Sequence, residues 1–246
     1  MIPELIFIIG PSCSGKSSMS QVICRIHSEY SVLDDVSPLY KIFQADRLLH
    51  QQQTDSFFSF IKEHNLESYY DKNKPVSYSH PNFQGGYLID NPVVWNIVLT
   101  ILGKQIKNKY TIVEFSRGSD SNYNNAFNII DDEVYPLSFS CLCRDINPLF
   151  LEKALIMNID APLDARKKRN KHRFENGGHL VAENTMNTIY RKNIFNDEQT
   201  YFLINDIKIP VFSIKNDKNN IDVLDFFINE FQKAIKFYQG FHNDIQ

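Results

Sequence analysis

The sequence predicts a three-layer α/β fold, in which helices cover both faces of a mostly parallel β-sheet. Short continuous apolar segments, typical of strands buried on both faces, recur along the chain, and amphipathic helical patterns separate them. The composition agrees, because 246 residues with 43% hydrophobic and 22% charged side chains are typical of a globular domain. Collagen-like, coiled-coil and disordered chains are excluded.

Five apolar segments are predicted to be strands, and each ends in polar residues where the carboxyl edge of a sheet would lie. They cover residues 5–9, 40–45, 110–115, 154–159 and 210–214. Helical patterns between and after them include residues 92–106, with Pro92 near the first turn, and residues 222–239, with Gly240 as a stop signal.

Two intervals depart from this alternation of strands and helices, at about residues 50–90 and 119–153. No linker long enough to separate two domains occurs, so we interpret both intervals as insertions in a single domain spanning residues 1–246. The first interval reads as a helix followed by an irregular loop.

The charge balance and the cysteines narrow the class of protein. Lys and Arg number 26 against 29 Asp and Glu, a net charge of −3, which argues against a nucleic-acid coat protein or a polybasic membrane binder. The four cysteines lack zinc-site spacing, and the amino terminus lacks the basic start of a signal peptide. We therefore expect a cytoplasmic protein with reduced thiols and without a membrane partner.

Residues 10–17, Gly-Pro-Ser-Cys-Ser-Gly-Lys-Ser, match the pattern G-x-x-x-x-G-K-[ST] between a predicted strand and a predicted helix. Glycines allow a tight turn whose backbone N–H groups face phosphate oxygens. The lysine of such a loop reaches the β- and γ-phosphates, and the hydroxyl that follows it binds Mg²⁺. An ordinary glycine-rich turn is the alternative. The predicted nucleotide-binding residues are Gly10, Ser12, Cys13, Ser14, Gly15, Lys16, Ser17 and Ser18.

With this loop and this order of elements, the chain resembles the small P-loop kinases. These include nucleoside and nucleoside monophosphate kinases and, more loosely, the zeta-toxin and chloramphenicol phosphotransferase-like kinases. The order of elements agrees over nearly the whole length, although only residues 10–17 form a specific motif. The resemblance implies a P-loop NTPase fold with five strands in the order 2-3-1-4-5, a lid, and Mg²⁺-dependent transfer of the ATP γ-phosphate.

Acids at two predicted strand ends are candidates to orient or deprotonate the phosphoryl acceptor. Asp46 follows the predicted strand at 40–45, where the resemblance implies an acid that faces the acceptor; capping a helix is its alternative role. Glu114 could hold Mg²⁺ or act as the base, and Arg117 could clamp a phosphate or carboxylate of the acceptor. A buried Glu–Arg pair that only holds the loop is the alternative for these two residues.

Residues 163–175 carry six Lys or Arg and two acids, and Arg166, Arg169 and Arg173 share one helix face. The resemblance implies that this segment is a lid, at about 163–180, whose arginines close over the nucleotide and the transferring phosphoryl group. We expect Arg169 and Arg173 to act on that group and Arg166 to contact the nucleotide. A solvated basic helix is the alternative.

The acceptor is predicted to be a small molecule. The aromatic first insertion, where Phe83 or Tyr87 could stack on a base, favours a nucleoside or nucleotide, and a sugar or another alcohol is the next candidate. Two other functions remain open: a polynucleotide 5′-hydroxyl kinase that grips phosphodiesters through residues 163–175, and a regulatory ATPase module. A homodimer is compatible with each of these functions.

Overall fold

The computed structural model describes residues 1–81, 87–91, 93–116, 139–177, 180–181, 183–187, 195, 198–204, 206–217 and 223–243. Within these ranges the structure contains both strands and helices. The elements are β1 (Leu5–Gly10), α1 (Lys16–Ile26), β2 (Ser31–Asp34), α2 (Val36–His50), α3 (Thr54–Glu63), β3 (Ser79–Pro81), β4 (Tyr87–Ile89), α4 (Val93–Gln105), β5 (Thr111–Ser116), α5 (Phe139–Cys143), α6 (Pro148–Leu151), β6 (Ala154–Asp160), α7 (Leu163–Glu175), α8 (Glu183–Asn187), β7 (Tyr201–Ile204), β8 (Ile207–Lys215) and α9 (Val223–Asn243).

The main sheet confirms the predicted three-layer α/β fold. Its strand order is β2-β5-β1-β6-β8-β7, and the first five of these strands are parallel. Numbered along the chain, the five parallel strands have the predicted order 2-3-1-4-5. The antiparallel edge strand β7 was not predicted.

Helices cover both faces of this sheet, and β1 shows how the two cores form. Phe7 and Ile9 pack into a cluster that includes α4, whereas Ile6 and Ile8 pack into a cluster that includes α1 and α9. Successive strand side chains point to opposite faces, so a strand buried on both faces must be apolar throughout. This burial on both faces explains why the run at residues 5–9 is continuously apolar.

The prediction of a strand at residues 40–45 is wrong. These residues lie inside α2, where Ile42, Ala45 and Asp46 are buried at helical spacing. The second strand is instead β2, which contains only four residues and lies at the sheet edge with Val32 41% exposed. An edge strand with solvent-exposed side chains carries no continuous apolar run, so the apolar pair Ile42 and Phe43 was mistaken for it.

The insertion at 50–90 is more regular than predicted. It contains α3, a short 3-10 helix at Glu67–Tyr69 and the antiparallel hairpin of β3 and β4. A separate apolar cluster, formed by Ala45, Phe57, Ile61, Leu66 and Tyr70, packs this insertion against α2. The insertion at 119–153 contains α5 and α6, and its residues before 139 lie outside the described ranges.

The stop predicted at Gly240 is wrong, because α9 continues to Asn243. Gly240 adopts no positive φ, and the rings of Phe241 and His242 pack on the preceding turn, against Phe237 and Tyr238 respectively. These contacts stabilise the last turn. Of the helices in the described ranges, none combines the length and the apolar character that crossing a membrane requires.

Candidate active site

The loop between β1 and α1 turns tightly because two glycines are packed against neighbouring backbone and side chains. A Cβ at Gly10 would lie 2.2 Å from the Ile159 carbonyl oxygen, and one at Gly15, where φ is +113°, would lie 2.5 Å from Asn216 Nδ2. Ser14 N donates to Pro11 O at 3.2 Å, which closes the turn. Residues with a side chain would not fit either position without displacing these neighbours.

Lys16 is buried in this loop and only 6% exposed. Its ammonium group donates to Gly10 O at 3.1 Å and to Pro11 O at 3.0 Å. Burial lowers the pKa of Lys16, and the nearby carboxylates of Asp35 and Glu114 act in the opposite direction. The loop therefore holds a desolvated cation whose positive charge two acids support.

Glu114 lies beside the hydroxyl of Ser17. One carboxylate oxygen accepts a short hydrogen bond from Ser17 Oγ, and the other accepts from Ser20 Oγ at 2.8 Å. The described residues form no cluster of three or more His, Cys, Asp or Glu side chains suited to a metal. Mg²⁺ commonly takes one or two protein carboxylates together with substrate phosphates, so a hydroxyl and a carboxylate fit this ion.

Asp35 is a site residue that the sequence analysis missed. It follows β2, is 8% exposed, and its Oδ2 accepts from Ser116 N at 2.8 Å. The neighbouring Asp34 caps α2, because its Oδ1 accepts from the backbone N–H groups of Val36 and Ser37. The available signal was the short apolar pair at 32–33 followed by the two acids Asp34 and Asp35. The apolar segment ten residues later was the stronger strand signal.

The predicted position of Asp46 is wrong. Asp46 lies inside α2, is fully buried, and accepts from Tyr70 Oη at 2.8 Å, Ser79 Oγ at 2.7 Å and Tyr78 N at 3.1 Å. Burial raises its pKa, against the effect of these hydrogen bonds. Asp46 joins α2 to the first insertion instead of facing an acceptor, and it caps no helix.

The arginines of α7 reach the loop to different extents. Arg169 donates from Nη1 to Cys13 O at 3.3 Å and from Nη2 to Asn216 Oδ1 at 3.3 Å. Arg173 donates from Nη2 to Asn170 Oδ1 at 3.1 Å. Burial lowers the pKa of Arg169.

Arg166 differs from the other two arginines of this face. It is 1% exposed, and its Nε donates to Ala161 O at 2.8 Å near the start of α7. Burial also lowers its pKa, and Asp160 opposes that shift. Arg166 does not line the cleft, so its predicted contact with the nucleotide lacks support from this geometry.

Lys16, Glu114, Asp35, Arg169 and Arg173 surround one cleft of about 380 Å³ at the carboxyl edge of the sheet. Most of the predicted loop residues line it, together with side chains from the ends of β2, β5 and β8 and from α7 and α9. The lining residues are Ser12, Cys13, Gly15, Lys16, Ser17, Ser18, Asp34, Asp35, Val36, Glu114, Ser116, Arg169, Arg173, Asn216 and Phe227. Gly10 and Ser14 are buried in the loop and do not line the cleft.

Some predicted residues lie outside the described ranges, among them Arg117, Phe83 and most of the glycine-containing loop of the first insertion. Tyr87 is described, and its ring stacks on Phe43 with centroids 4.5 Å apart and planes 7° from parallel. Phe43 covers one face of this ring, so a substrate base would have to stack on the other face, and this role of Tyr87 stays a prediction.

No protein-family profile matches the chain, and no curated protein matches its sequence. Solved structures with similar folds include a sugar kinase from a Janibacter species, with 11% identity, 96% of this chain and 95% of that chain covered, and a TM-score of 0.49. An Acinetobacter baumannii shikimate kinase bound to shikimate has 13% identity, with 96% of this chain and 94% of that chain covered, and a TM-score of 0.40. A Sinorhizobium meliloti gluconokinase has 11% identity, with 96% of this chain and 95% of that chain covered, and a TM-score of 0.42. Because these identities and scores are low, the side chains of this chain carry the functional proposal.

Proposed function

We propose that this protein is an ATP- and Mg²⁺-dependent phosphotransferase that moves the γ-phosphate to a hydroxyl group of a small acceptor. One observation carries the proposal. A phosphate-loop lysine, a hydroxyl–carboxylate pair, an acid from β2 and two arginines of α7 surround a single cleft. A nucleotide-binding module alone would need the lysine and the hydroxyl–carboxylate pair, but not the acid that follows β2 or the two arginines.

The donor side of the cleft is formed by the loop and by Lys16. Backbone N–H groups of a glycine-rich turn and the start of α1 suit phosphate oxygens. The Lys16 ammonium, now bonded to two loop carbonyls, would exchange these for β- and γ-phosphate oxygens. Ser17 and Glu114 would hold Mg²⁺, which neutralises phosphate charge when it is bound.

The acceptor side is formed by Asp35 and its neighbours. The Asp35 carboxylate would accept the proton of the acceptor hydroxyl as its oxygen attacks the γ-phosphorus, while the bond to the β–γ bridging oxygen breaks and ADP leaves. The N–H of Ser116 donates to Oδ2 of this carboxylate, which orients Asp35 at the wall of the cleft. Asp35 therefore replaces Asp46 as the candidate base, and Glu114 remains with the metal.

Arg169 and Arg173 would stabilise the charge on the transferring group. The Arg173 Nε is buried and meets no hydrogen-bond acceptor in the part of the chain that the structure describes. A phosphate oxygen would satisfy it. Because charge spreads over the equatorial oxygens during transfer, donors held above the loop act in the transition state.

The basic segment supports a small-molecule kinase over a polynucleotide kinase. Its arginines face the loop and the interior, whereas Lys167 pairs with Glu183 at 3.1 Å and Lys171 lies 3.9 Å from Glu175. The arginine contacts favour a role inside the cleft over a role on an outer surface that grips phosphodiesters. Nucleosides, nucleotides and sugars all remain in the proposed acceptor class.

A panel of acceptors tests this proposal. Wild-type protein is incubated with γ-labelled ATP, Mg²⁺ and individual nucleosides, nucleotides, sugars or short DNA 5′-hydroxyl ends, and labelled product is measured. We expect one class of small acceptor to stimulate ATP turnover strongly. Turnover that is the same with every acceptor would favour the regulatory ATPase, and labelling of DNA ends that weakens steeply with salt would favour the polynucleotide kinase.

A further inference from the structure

Asn216, the residue after β8, connects three separate segments around the cleft and is 5% exposed. Its backbone N–H donates to Asp160 O at 2.7 Å, which anchors it to the end of β6. Its side-chain Nδ2 donates to Ser14 O in the phosphate loop at 2.7 Å. Its Oδ1 accepts from Arg169 Nη2 of α7 at 3.3 Å. The amide therefore uses both of its polar ends.

The contacts form a closed set. Arg169 Nη1 reaches Cys13 O at 3.3 Å and Ser14 O at 3.5 Å, and its Nη2 also reaches Asn216 O at 3.3 Å. The loop, the α7 arginine and the end of β8 thus each bond to the other two. The chemistry fixes the orientation of the amide, because a carbonyl partner requires its NH₂ group and a guanidinium partner requires its oxygen.

This arrangement acts on the loop backbone. In a trans peptide the C=O of one residue and the N–H of the next point in opposite directions. Holding Ser14 O toward Asn216 therefore fixes the direction of the Gly15 N–H, one of the loop amides that a phosphate oxygen can use. The close approach depends on Gly15, since a Cβ there would lie 2.5 Å from Asn216 Nδ2.

We propose that Asn216 is a positioning residue for nucleotide binding, whose side-chain amide holds the Ser14 carbonyl and the Arg169 guanidinium in one fixed arrangement. This inference rests on the proposed nucleotide-binding function and goes beyond it. It states that one buried amide holds the phosphate loop and α7 in place relative to each other. Asn216 acts through the loop and Arg169 rather than on the reacting atoms.

The test compares Asn216→Ala with Asn158→Ala as a matched control. Asn158 is a 1% exposed amide of β6 that donates to Ser213 Oγ at 3.1 Å and does not line the cleft. The dissociation constant of ATP with Mg²⁺ is measured by calorimetry, and the melting temperature is measured without nucleotide. We expect Asn216→Ala to weaken ATP binding about tenfold or more, because two buried hydrogen bonds, one of them to a charged group, are lost.

Asn158→Ala should lower the melting temperature while leaving the ATP affinity unchanged. A purely structural role for Asn216 predicts that both variants behave in this way, and that result would overturn the inference while the proposed function stands. Failure of the wild-type protein to bind ATP would instead overturn the proposed function. If Asn216→Ala does not fold, Asn216→Ser provides the same comparison with a hydroxyl in place of the amide.

A double-mutant cycle with Arg169→Ala tests the coupling directly. If Asn216 positions Arg169, removing the arginine should cost several-fold less ATP affinity in the Asn216→Ala background than in the wild type. Additive losses would mean that the two side chains act independently, which would contradict the inference.

Discussion

Two groups of residues in this protein bring carboxylates together with hydroxyl groups, and they differ in what surrounds them. Asp46 receives hydrogen bonds from Tyr70, Ser79 and Tyr78, and all of these donors are neutral groups. Glu114 also receives two hydroxyl donors, but it lies in a cleft of about 380 Å³ whose walls include Lys16, Arg169 and Arg173.

The comparison distinguishes an acid that joins two parts of the fold, Asp46, from one that we propose to bind the metal, Glu114. The first cluster is closed, because Asp46 is fully buried and both of its carboxylate oxygens accept hydrogen bonds that tie α2 to the first insertion. The cleft is open, and its cations and carboxylates face a common volume that a phosphorylated ligand can enter. Both side chains carry a carboxylate, so the presence of an accessible volume and of opposite charges distinguishes the two sites.

The largest effect should follow the loss of a cleft cation. We expect Arg173→Ala to lower the rate of phosphoryl transfer about 10³- to 10⁵-fold, because an arginine acting on the transferring group contributes this much in related chemistry. Lys167→Ala, on the same helix and paired with Glu183, is the control and should leave the rate unchanged. The two rates are compared with the acceptor that the panel identifies; equal rates would remove Arg173 from the mechanism.

Neutralising one acid in each cluster sharpens the comparison. Asp35→Asn should lower kcat about 10²- to 10⁴-fold, as expected for the loss of a general base, whereas Asp46→Asn should leave kcat within about threefold. Steady-state kinetics on both purified variants provides the measurement. A large loss of kcat in Asp46→Asn with normal kinetics in Asp35→Asn would restore the role first predicted for Asp46.

Stability should show the opposite ranking. Asp46→Ala leaves Tyr70, Ser79 and the Tyr78 N–H without their acceptor, so we expect a loss of about 2–4 kcal/mol in the free energy of unfolding. Glu114→Ala should cost at most about 1 kcal/mol, because water in the open cleft can accept from Ser17 and Ser20. Urea denaturation of both variants measures these values. A Glu114 variant less stable than the Asp46 variant would contradict the distinction.

The smallest effect concerns pH. Burial raises the pKa of Asp46 above its ordinary value of 3.8, so just above that pH the folded protein keeps a proton that the unfolded chain has released. The contribution of Asp46 to stability is therefore complete below pH 3.8 and is lost as the pH rises through the higher folded-state pKa. Asp46→Asn cannot titrate and should lack this decline. Denaturation of wild type and variant at several pH values tests this sign; parallel curves would contradict it.

Local patterns predicted the parts of the fold that local physics determines. The continuous apolar runs of β1, β5, β6 and β8 identify strands because both faces of each strand are covered, and the glycines of the loop identify a turn against neighbouring structure. The edge strand β2 has no such run, and Asp35 was missed with it. The apolar residues Ile42 and Phe43 are adjacent, which is typical of a buried strand, so the sequence pattern of α2 predicted a strand. Asp46 is four residues after Ile42 and lies on the same buried face of the helix.

Contacts between distant segments could not be predicted. The hydrogen bond from Asn216 to Ser14 joins residues 202 positions apart, and the one from Ser17 to Glu114 joins residues 97 positions apart. The spacing of arginines at 166, 169 and 173 correctly indicated a shared face. It could not show that Arg166 is buried near the start of α7 while Arg169 reaches the loop.

Equilibrium binding of a fluorescent ATP analogue with Mg²⁺, to wild-type protein and to Lys16→Ala, tests the central claim most directly. If the loop and Lys16 form a triphosphate site, the wild type binds saturably, ATP competes, and the variant binds about 100-fold more weakly or worse because a buried cation is lost from the phosphates. Equal binding by the two proteins, or none by the folded wild type, would contradict the claim.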